Sequence, residues 1–305
     1  MIDLRRLNAL AAVAEHGTVT AAAKALNFTP SAVSQQIGQL AHDLDTELLE
    51  RQGRRVHLTP AAHILLGHVQ TIQGQWEQAR AELAASTERV NGLLRVCGVS
   101  SAIAALAAPA TTCLEARHPH LQVLLREEES SDCYRLLLSD EADIALVLPT
   151  PDAPPPTDAR FEQQPVLTDP QDLLVPVDHE LAGSRGVDLA DAAEESWIVK
   201  RHDNDSYTLL SVACAASGFT PQVTHEAKEW FAVSALVAAG LGVCLLPRIV
   251  PVPASHTVVR VPLIGRSAPA RQIMMSVRRG SVDHPAVAAG LSALRDVADN
   301  DHASN

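Results

Sequence analysis

The feature that most constrains this chain is a dense run of helix start and stop signals in its first sixty residues. Leu4, Leu7, Leu10, Ala11 and Ala14 recur at helical spacing and stop at Gly17, a residue type suited to closing a helix. Thr18 can cap the following segment, TAAAKALN, whose alanines invite close packing. After a short turn at Asn27–Phe28, Thr29 is a second N-cap, and Pro30 takes the first helical position, where its missing N–H is not needed. The helix opened there carries Val33, Ile37, Leu40 and Leu44 in one apolar stripe. Two helices, a short turn and a third helix define a helix-turn-helix. The next stretch, ELLERQGRRVHLT, follows as strand, glycine-containing turn and strand. Leu48 and Leu49 precede that turn and Val56 and Leu58 follow it, making a small wing with arginines at its tip.

Thr59-Pro60 starts a long helix by the same cap-plus-proline device. Ala62, Leu65, Val69, Ile72, Trp76, Ala79 and Leu83 step by three and four residues alternately, a heptad seam flanked by glutamines. One amphipathic helix packed on its own domain would favour a wider stripe at 3.6 spacing. The narrow seam predicts self-association, with Leu65, Val69, Ile72, Trp76 and Leu83 at the dimer interface.

From Asn91 onward strands and helices alternate. LLRVCGV, LQVLLRE and ADIALVL read as strands around an Ala-rich helix and a helix from about Ser131. After the proline-rich PTPDAPPPT come QDLLVPV, SWIVK, a helix at 206–217, PQVTHEA, the helix SALVAAG and the strand GVCLLP. RQIMMSVRR and the helix HPAVAAGLSALRDVA close the chain, and the tail DNDHASN is expected to fray. Such alternation predicts an α/β fold with a largely parallel sheet, with room in these 305 residues for two small α/β lobes.

Net charge is −12, which taken alone opposes nucleic-acid binding, but its distribution matters more. Residues 1–60 hold six basic and six acidic side chains, so the excess acid lies wholly beyond them. Three of those six positive charges fall in RQGRR at 51–55, a local basic field that can meet phosphate. There is no run of about 18 apolar residues, which argues against a membrane span. The first twenty residues include Asp3, Glu15 and His16 and do not read as a signal peptide. Cys97, Cys113, Cys133, Cys214 and Cys244 are scattered without paired spacing, as expected of free thiols in a reducing cytoplasm.

The segments LRRLNALAAVAEHGTVTAAAKALNFTPSAVSQQIGQL and LLERQGRRVHLTPAA together resemble the LysR-type transcriptional regulators. ADIALVL and ALVAAGLGVCLLP look like that family's effector-binding domain, a fold shared in outline with periplasmic solute-binding proteins. The resemblance covers almost the whole chain. It implies a winged helix-turn-helix over 1–58, a dimerising linker helix over 59–89 and a periplasmic-binding-protein-like effector domain over 91–300. Lobe 1 would take about 91–163 and 267–300, and lobe 2 about 164–266. Two positions depart from the family pattern. Leu49 stands where phenylalanine is usual, and Asp45 stands where a glycine usually ends the third helix. By the same resemblance the protein is a DNA-binding homodimer or homotetramer in the cytoplasm, modulated by a small molecule and needing no cofactor or metal.

In a helix-turn-helix the second helix of the motif enters the major groove with its N-terminal residues at base edges. Thr18, Thr29, Pro30, Ser31, Ser34 and Gln35 are therefore the candidate DNA contacts from the helices. Serine can donate to or accept from base or phosphate, and glutamine pairs bidentately with adenine. In the wing, Arg54 and Arg55 are expected to reach phosphate or minor groove, while Arg51 braces the wing against neighbouring acids. A small effector belongs in the cleft between the lobes, outside the carboxyl ends of strands. Ser100 and Ser101 follow the first strand and open a helix, so their hydroxyl and N–H groups can take an anion. The resemblance adds Ser130, Lys200, His202, Lys228 and Trp230 from later loops. With Arg201, these cations favour a carboxylate or other acidic ligand.

An enzyme is the contrasting expectation, and the motifs oppose it. HPH at 118–120 is interrupted by proline, HExxH, GxSxG and GxGxxG are absent, and GLGV at 240–243 lies between helix and strand. A solute-binding protein would fit the lobes but not the winged segment.

Overall fold

The computed structural model describes residues 3–304 apart from 27, 53–54, 87–88, 151–152, 202–204 and 266–267, and for 4, 51, 52, 55, 205 and 301–304 it describes the backbone alone. The wing-tip Arg54 and the cleft candidate His202 lie outside the described residues, as do the side chains of Arg51 and Arg55.

Each of the first helices begins where its cap residue dictates. In α1 (Leu4–His16) Asp3 accepts from the Arg5 N–H, and Gly17 closes the helix at φ 71° with its own N–H on the Val13 carbonyl. The buried face of α1 is Leu7, Ala9, Leu10, Ala12 and Val13, whereas Ala14 is exposed. The stripe read from leucine spacing is thus displaced, because small Ala9 and Ala12 allow α2 (Val19–Ala25) and α3 (Pro30–Asp43) to approach closely. In α3 Val33, Ile37 and Leu40 are buried as expected. Leu44 is not: the helix ends at Asp43, and Leu44 is 40% exposed. Asp45 then turns the chain at φ 47°, a left-handed conformation that explains why glycine suits this position. The wing pairs β1 (Leu49–Gln52) antiparallel with β2 (Arg55–Leu58), Leu49 opposite Leu58.

Thr59 caps α4 (Pro60–Ala85) through the Ala62 N–H and also donates to the Glu47 carbonyl at 2.7 Å, tying the linker helix to the wing. The heptad seam divides in two along this helix. Val69 is 2% exposed in the core of the helix-turn-helix domain, and Leu65 and Ile72 are partly buried against the same core. Trp76 and Leu83 remain 52% and 72% exposed.

Beyond α4 come β3 (Gly92–Gly98), α5 (Ser100–Ala102), a π-helical turn (Ile103–Ala107) and α6 (Ala108–Arg117). The single Ala-rich helix expected here widens because Pro109 cannot donate a helical hydrogen bond and its ring crowds the preceding turn. β4 (Leu121–Glu127), α7 (Ser130–Leu138) and β5 (Ile144–Val147) follow. Then β6 (Phe161–Pro176) runs sixteen residues, joining QDLLVPV to a strand portion that its prolines and polar residues had masked. β7 (Ser196–Lys200), α8 (Asp205–Ala216), β8 (Gln222–Ala227), α9 (Trp230–Ala238), β9 (Cys244–Pro247) and β10 (Val258–Pro262) lead to β11 (Ala270–Arg278) and α10 (Pro285–Ser304). β10 had no counterpart among the strands read from sequence, and α10 extends through most of the tail expected to fray.

The sheet is mixed rather than largely parallel. β3 pairs parallel with β4 and β5, but β11 runs antiparallel between β5 and β6. The cause is topological: the chain leaves the first lobe along β6 and returns along β11, so two neighbouring strands must run in opposite directions. β6 pairs with β11 from Phe161 through Pro170, then with β9 and β10 from Gln171 onward. The crossing therefore falls at Pro170–Gln171, later than the boundary near 164 suggested by the sequence. On lobe 1 the sheet is covered by α6 and α10 on one side and α7 on the other, and a separate core of Leu173, Val175, Trp197 and Leu210 fills lobe 2. Gly98 lets β3 lie close to β5: a Cβ there would come within 2.8 Å of the Leu146 Cβ.

Candidate functional site

The first site is the outer edge of α3. Its inner edge is pinned by Val33, Ile37 and Leu40, so Ser31, Ser34 and Gln35, three and four residues apart, share the exposed side. Thr29 and Ser31 are already engaged. Thr29 Oγ1 accepts from the Ala32 N–H at 3.2 Å and lies 2.9 Å from Ser31 Oγ. One proton serves that hydroxyl pair, leaving a single donor to point outward. Ser34 and Gln35 make no side-chain hydrogen bond among the described residues, which keeps their full capacity for an incoming partner. Thr18 caps α2 through the Ala21 N–H at 3.1 Å, so its hydroxyl can still donate. At the far end of α3, Gln39 and Arg6 both hold Asp43, and these hydrogen bonds draw its carboxyl below the ordinary value.

The second site is the cleft where β6 and β11 cross between the lobes. Ser100 and Ser101 reach it from lobe 1, Lys200 and Trp230 from lobe 2, and Arg271 from the returning strand. Lys200 Nζ sits 5.3 Å from the Trp230 ring centroid, a cation–π contact that holds the ammonium on the cleft wall. Ser101 is 4% exposed and accepts from Arg271 Nη2 at 2.7 Å. Arg271 Nε in turn bonds Asp169 Oδ2 at 2.8 Å, and Asp169 Oδ1 accepts from the Ile249 N–H. Both partners of this ion pair are almost wholly buried. Burial pushes the Asp169 carboxyl above its ordinary value in spite of Arg271 beside it. The pocket that these residues enclose has a volume of about 20 Å³, room for little more than one water.

Two expected cleft residues stand elsewhere. Ser130 is buried, its Oγ accepting from the Leu148 N–H at 3.0 Å, so it joins the start of α7 to the end of β5 instead of facing a ligand. Lys228 is 78% exposed beside Glu229 and forms no part of the cleft wall. Sequence reasoning missed Arg271 and Glu129. The signal for Arg271 was a lone cation opening an apolar strand, RQIMM, where burial obliges it to find an anion.

A third cluster joins α4 to lobe 1. Arg278, at the end of β11, donates through Nη1 to the carbonyls of Leu137 (3.0 Å) and Ala142, and through Nη2 to Asp143 at 3.2 Å. Its Nε lies 3.3 Å from Glu77 of α4, too oblique for a hydrogen bond but close enough for an ion contact. Arg95 and Arg80 complete the cluster on Asp143 and Asp140.

A winged helix-turn-helix carried on a long helix beside a two-lobed receptor domain defines a class of protein that couples DNA binding to a small molecule. Residues 4–63 match the family described as bacterial regulatory helix-turn-helix protein, lysR family, and residues 87–299 match the LysR substrate binding domain. The HTH-type transcriptional regulator AlsR of Bacillus subtilis is 32% identical over 81% of this chain and 80% of its own length. The transcriptional dual regulator GltC of the same species is 28% identical over 81% of each. Among solved structures, full-length BenM aligns over 99% of this chain and 98% of its own with a TM-score of 0.61 at 22% identity. HinK of Pseudomonas aeruginosa aligns over 98% and 100% with 0.61 at 19% identity, and both show the fold. The chain belongs to the LysR family of bacterial transcriptional regulators, and it is not an enzyme.

Proposed function

We propose that this regulator reads its operator with the outer edge of α3 and changes its DNA affinity or bend when a small anionic effector enters the cleft. The observation that carries the reading is the division of α3 into a buried edge and an exposed edge of small, uncharged hydrogen-bonding side chains. Ser31, Ser34 and Gln35 allow the backbone to approach base edges at short range, and Thr18, Thr29 and Pro30 fix the two helix starts beside them. Arg54 and Arg55 of the wing supply sequence-independent phosphate contact, and Arg51 supports them. Mobility-shift titration against genomic fragments tests this: a restricted set of fragments should be retained, and Ser34→Arg should abolish the restriction. Retention of the same set by Ser34→Arg would refute it.

The protein acts in the cytoplasm, where its DNA lies, as a homo-oligomer. Trp76 and Leu83 expose the unburied half of the α4 seam, and Trp76 borders a groove of about 1440 Å³ between the helix-turn-helix domain, α4 and lobe 1. That groove suits the α4 of a second copy, which would meet Trp76 and Leu83, while Leu65, Val69 and Ile72 pack on their own domain. Analytical ultracentrifugation of Trp76→Glu should show dissociation toward monomer, and an unchanged oligomer would refute this interface.

A further inference from the structure

We infer, building on the reading of α3 as the element that faces DNA, that Gly38 is a specificity-determining residue. Its missing side chain lets α3 seat against the sugar–phosphate wall of the major groove. Gly38 lies inside α3 (Pro30–Asp43) and is exposed. Glycine in a helix interior costs backbone entropy, so alanine there favours the folded helix by about two- to fivefold in equilibrium constant. Elsewhere in this chain such a glycine has a reason inside the protein. Gly17 closes α1 at φ 71°, and in α10 a Cβ on Gly290 would come within 2.7 Å of Ile144 Cδ1 and 2.8 Å of Leu94 Cδ2. At Gly38 neither holds. Its backbone is ordinary helix, and a Cβ built there meets nothing within 4 Å. Both flanking side chains are engaged elsewhere: Ile37 is buried, and Gln39 is drawn along the helix to Asp43 at 2.9 Å.

The open space faces the side that meets DNA. Gly38 follows Ser34 by four residues and Gln35 by three, and it lies two turns beyond Ser31, so the four share one exposed face. At 1.5 Å per residue, Gly38 stands about 10 Å along the axis from Ser31. The major groove is about 12 Å wide, so a helix whose first turn meets base edges has reached the bordering strand by Gly38. A bare backbone there lets the helix settle against deoxyribose and phosphate. A Cβ would hold the whole helix outward and lift Ser34 and Gln35 off the bases. Loose, sequence-independent complexes seat α3 less deeply and do not feel the difference.

The test compares wild type, Gly38→Ala, Gly38→Lys and Gln35→Ala, all full-length, by thermal unfolding and by anisotropy titration of selected operator and scrambled duplexes. Gly38→Ala should unfold no lower than wild type, since its Cβ enters open space. It should nevertheless bind operator at least about fivefold more weakly, while holding the scrambled duplex within about twofold. A helix made firmer does not lose DNA by unfolding, so the opposite signs assign the loss to the contact. Gly38→Lys should lose at least as much operator binding, because its stem meets the strand before its ammonium reaches a phosphate. A smaller loss on operator, an equal loss on both duplexes, unfolding of Gly38→Ala below wild type, or tighter binding of both duplexes by Gly38→Lys would each overturn the proposal. Loss of operator preference in Gln35→Ala together with any of these outcomes rejects the role of Gly38 alone. A wild type without operator preference, or Gln35→Ala with an unchanged one, rejects the reading of α3 beneath it.

Discussion

Removing Arg278 should loosen the junction between the linker helix and the effector domain far more than removing its partner on that helix. The Arg278 side chain is 11% exposed, and its guanidinium serves the carbonyls of Leu137 and Ala142 as well as Asp143 and Asp140. Arg278→Ala leaves both carbonyls without that donor. Asp143 is spared isolation because Arg95 still reaches it at 2.7 and 3.0 Å. An unsatisfied buried acceptor costs about 1–3 kcal/mol; the Leu137 carbonyl keeps the Asp140 N–H, so the Ala142 carbonyl left without that donor and a weakened ion pair give a loss of about 3 kcal/mol. Glu77→Gln removes only one half-shared charge, because Glu77 meets Arg80 at 3.2 Å and Arg278 without a hydrogen bond. Its cost should be about 1 kcal/mol. Urea unfolding followed by far-ultraviolet circular dichroism would compare the two. With a slope of about 3 kcal/mol per molar, Arg278→Ala should lower the midpoint by about 1 M or more. A shift under about 0.3 M, or equal shifts for the two variants, would refute the reasoning.

Other perturbations follow from single geometries. Asp45→Gly relieves a left-handed backbone at φ 47° and should stabilise the helix-turn-helix by roughly 0.5–1 kcal/mol in calorimetry, after the larger unfolded-state entropy of glycine is subtracted. Of the five thiols only Cys113 is exposed, and the other four are buried. The Cys133 thiol is driven far up by its hydrogen bond to Cys97 and by burial, and burial lifts Cys214 and Cys244 to about 12. A disulfide reagent at pH 8 should therefore label one thiol per folded chain rapidly. Burial opposes ionisation of Asp143 and Asp158, but hydrogen bonds from Arg95 and Arg160 hold both below the ordinary 3.8. Depressed carboxyls contribute stability that is complete above that value and is lost as pH falls through the folded-state values. Thermal unfolding should thus fall steeply below about pH 4, and Asp143→Asn should flatten that fall.

The winged segment was nearly transparent in the sequence because its signals are local. Caps at Thr18, Thr29 and Thr59 act on residues two or three positions away, and the α3 stripe needs no distant partner to be seen. What failed were inferences about which apolar face is buried. Ala9 and Ala12 took the place expected for Ala14, and Val69 entered the core of its own domain, because burial depends on the neighbouring helices and not on spacing alone. In the effector domain the strands of lobe 1 were legible as apolar runs. The first half of β6 was hidden by EQQP, since its neighbour β11 lies about a hundred residues away. The cleft was half legible for the same reason. Ser100, Ser101 and Lys200 stand at strand ends, where loop chemistry is visible, whereas the Asp169–Arg271 pair joins residues that meet only across the crossover.

The most direct test is an anisotropy titration of selected operator and scrambled duplexes, with wild type and Gln35→Ala side by side. The account predicts that wild type prefers the operator by about a thousandfold or more. Gln35→Ala should lose about 1–3 kcal/mol of operator binding while holding the scrambled duplex as before. An unchanged preference in Gln35→Ala, or an equal loss on both duplexes, would contradict the assignment of α3 as the element that reads bases.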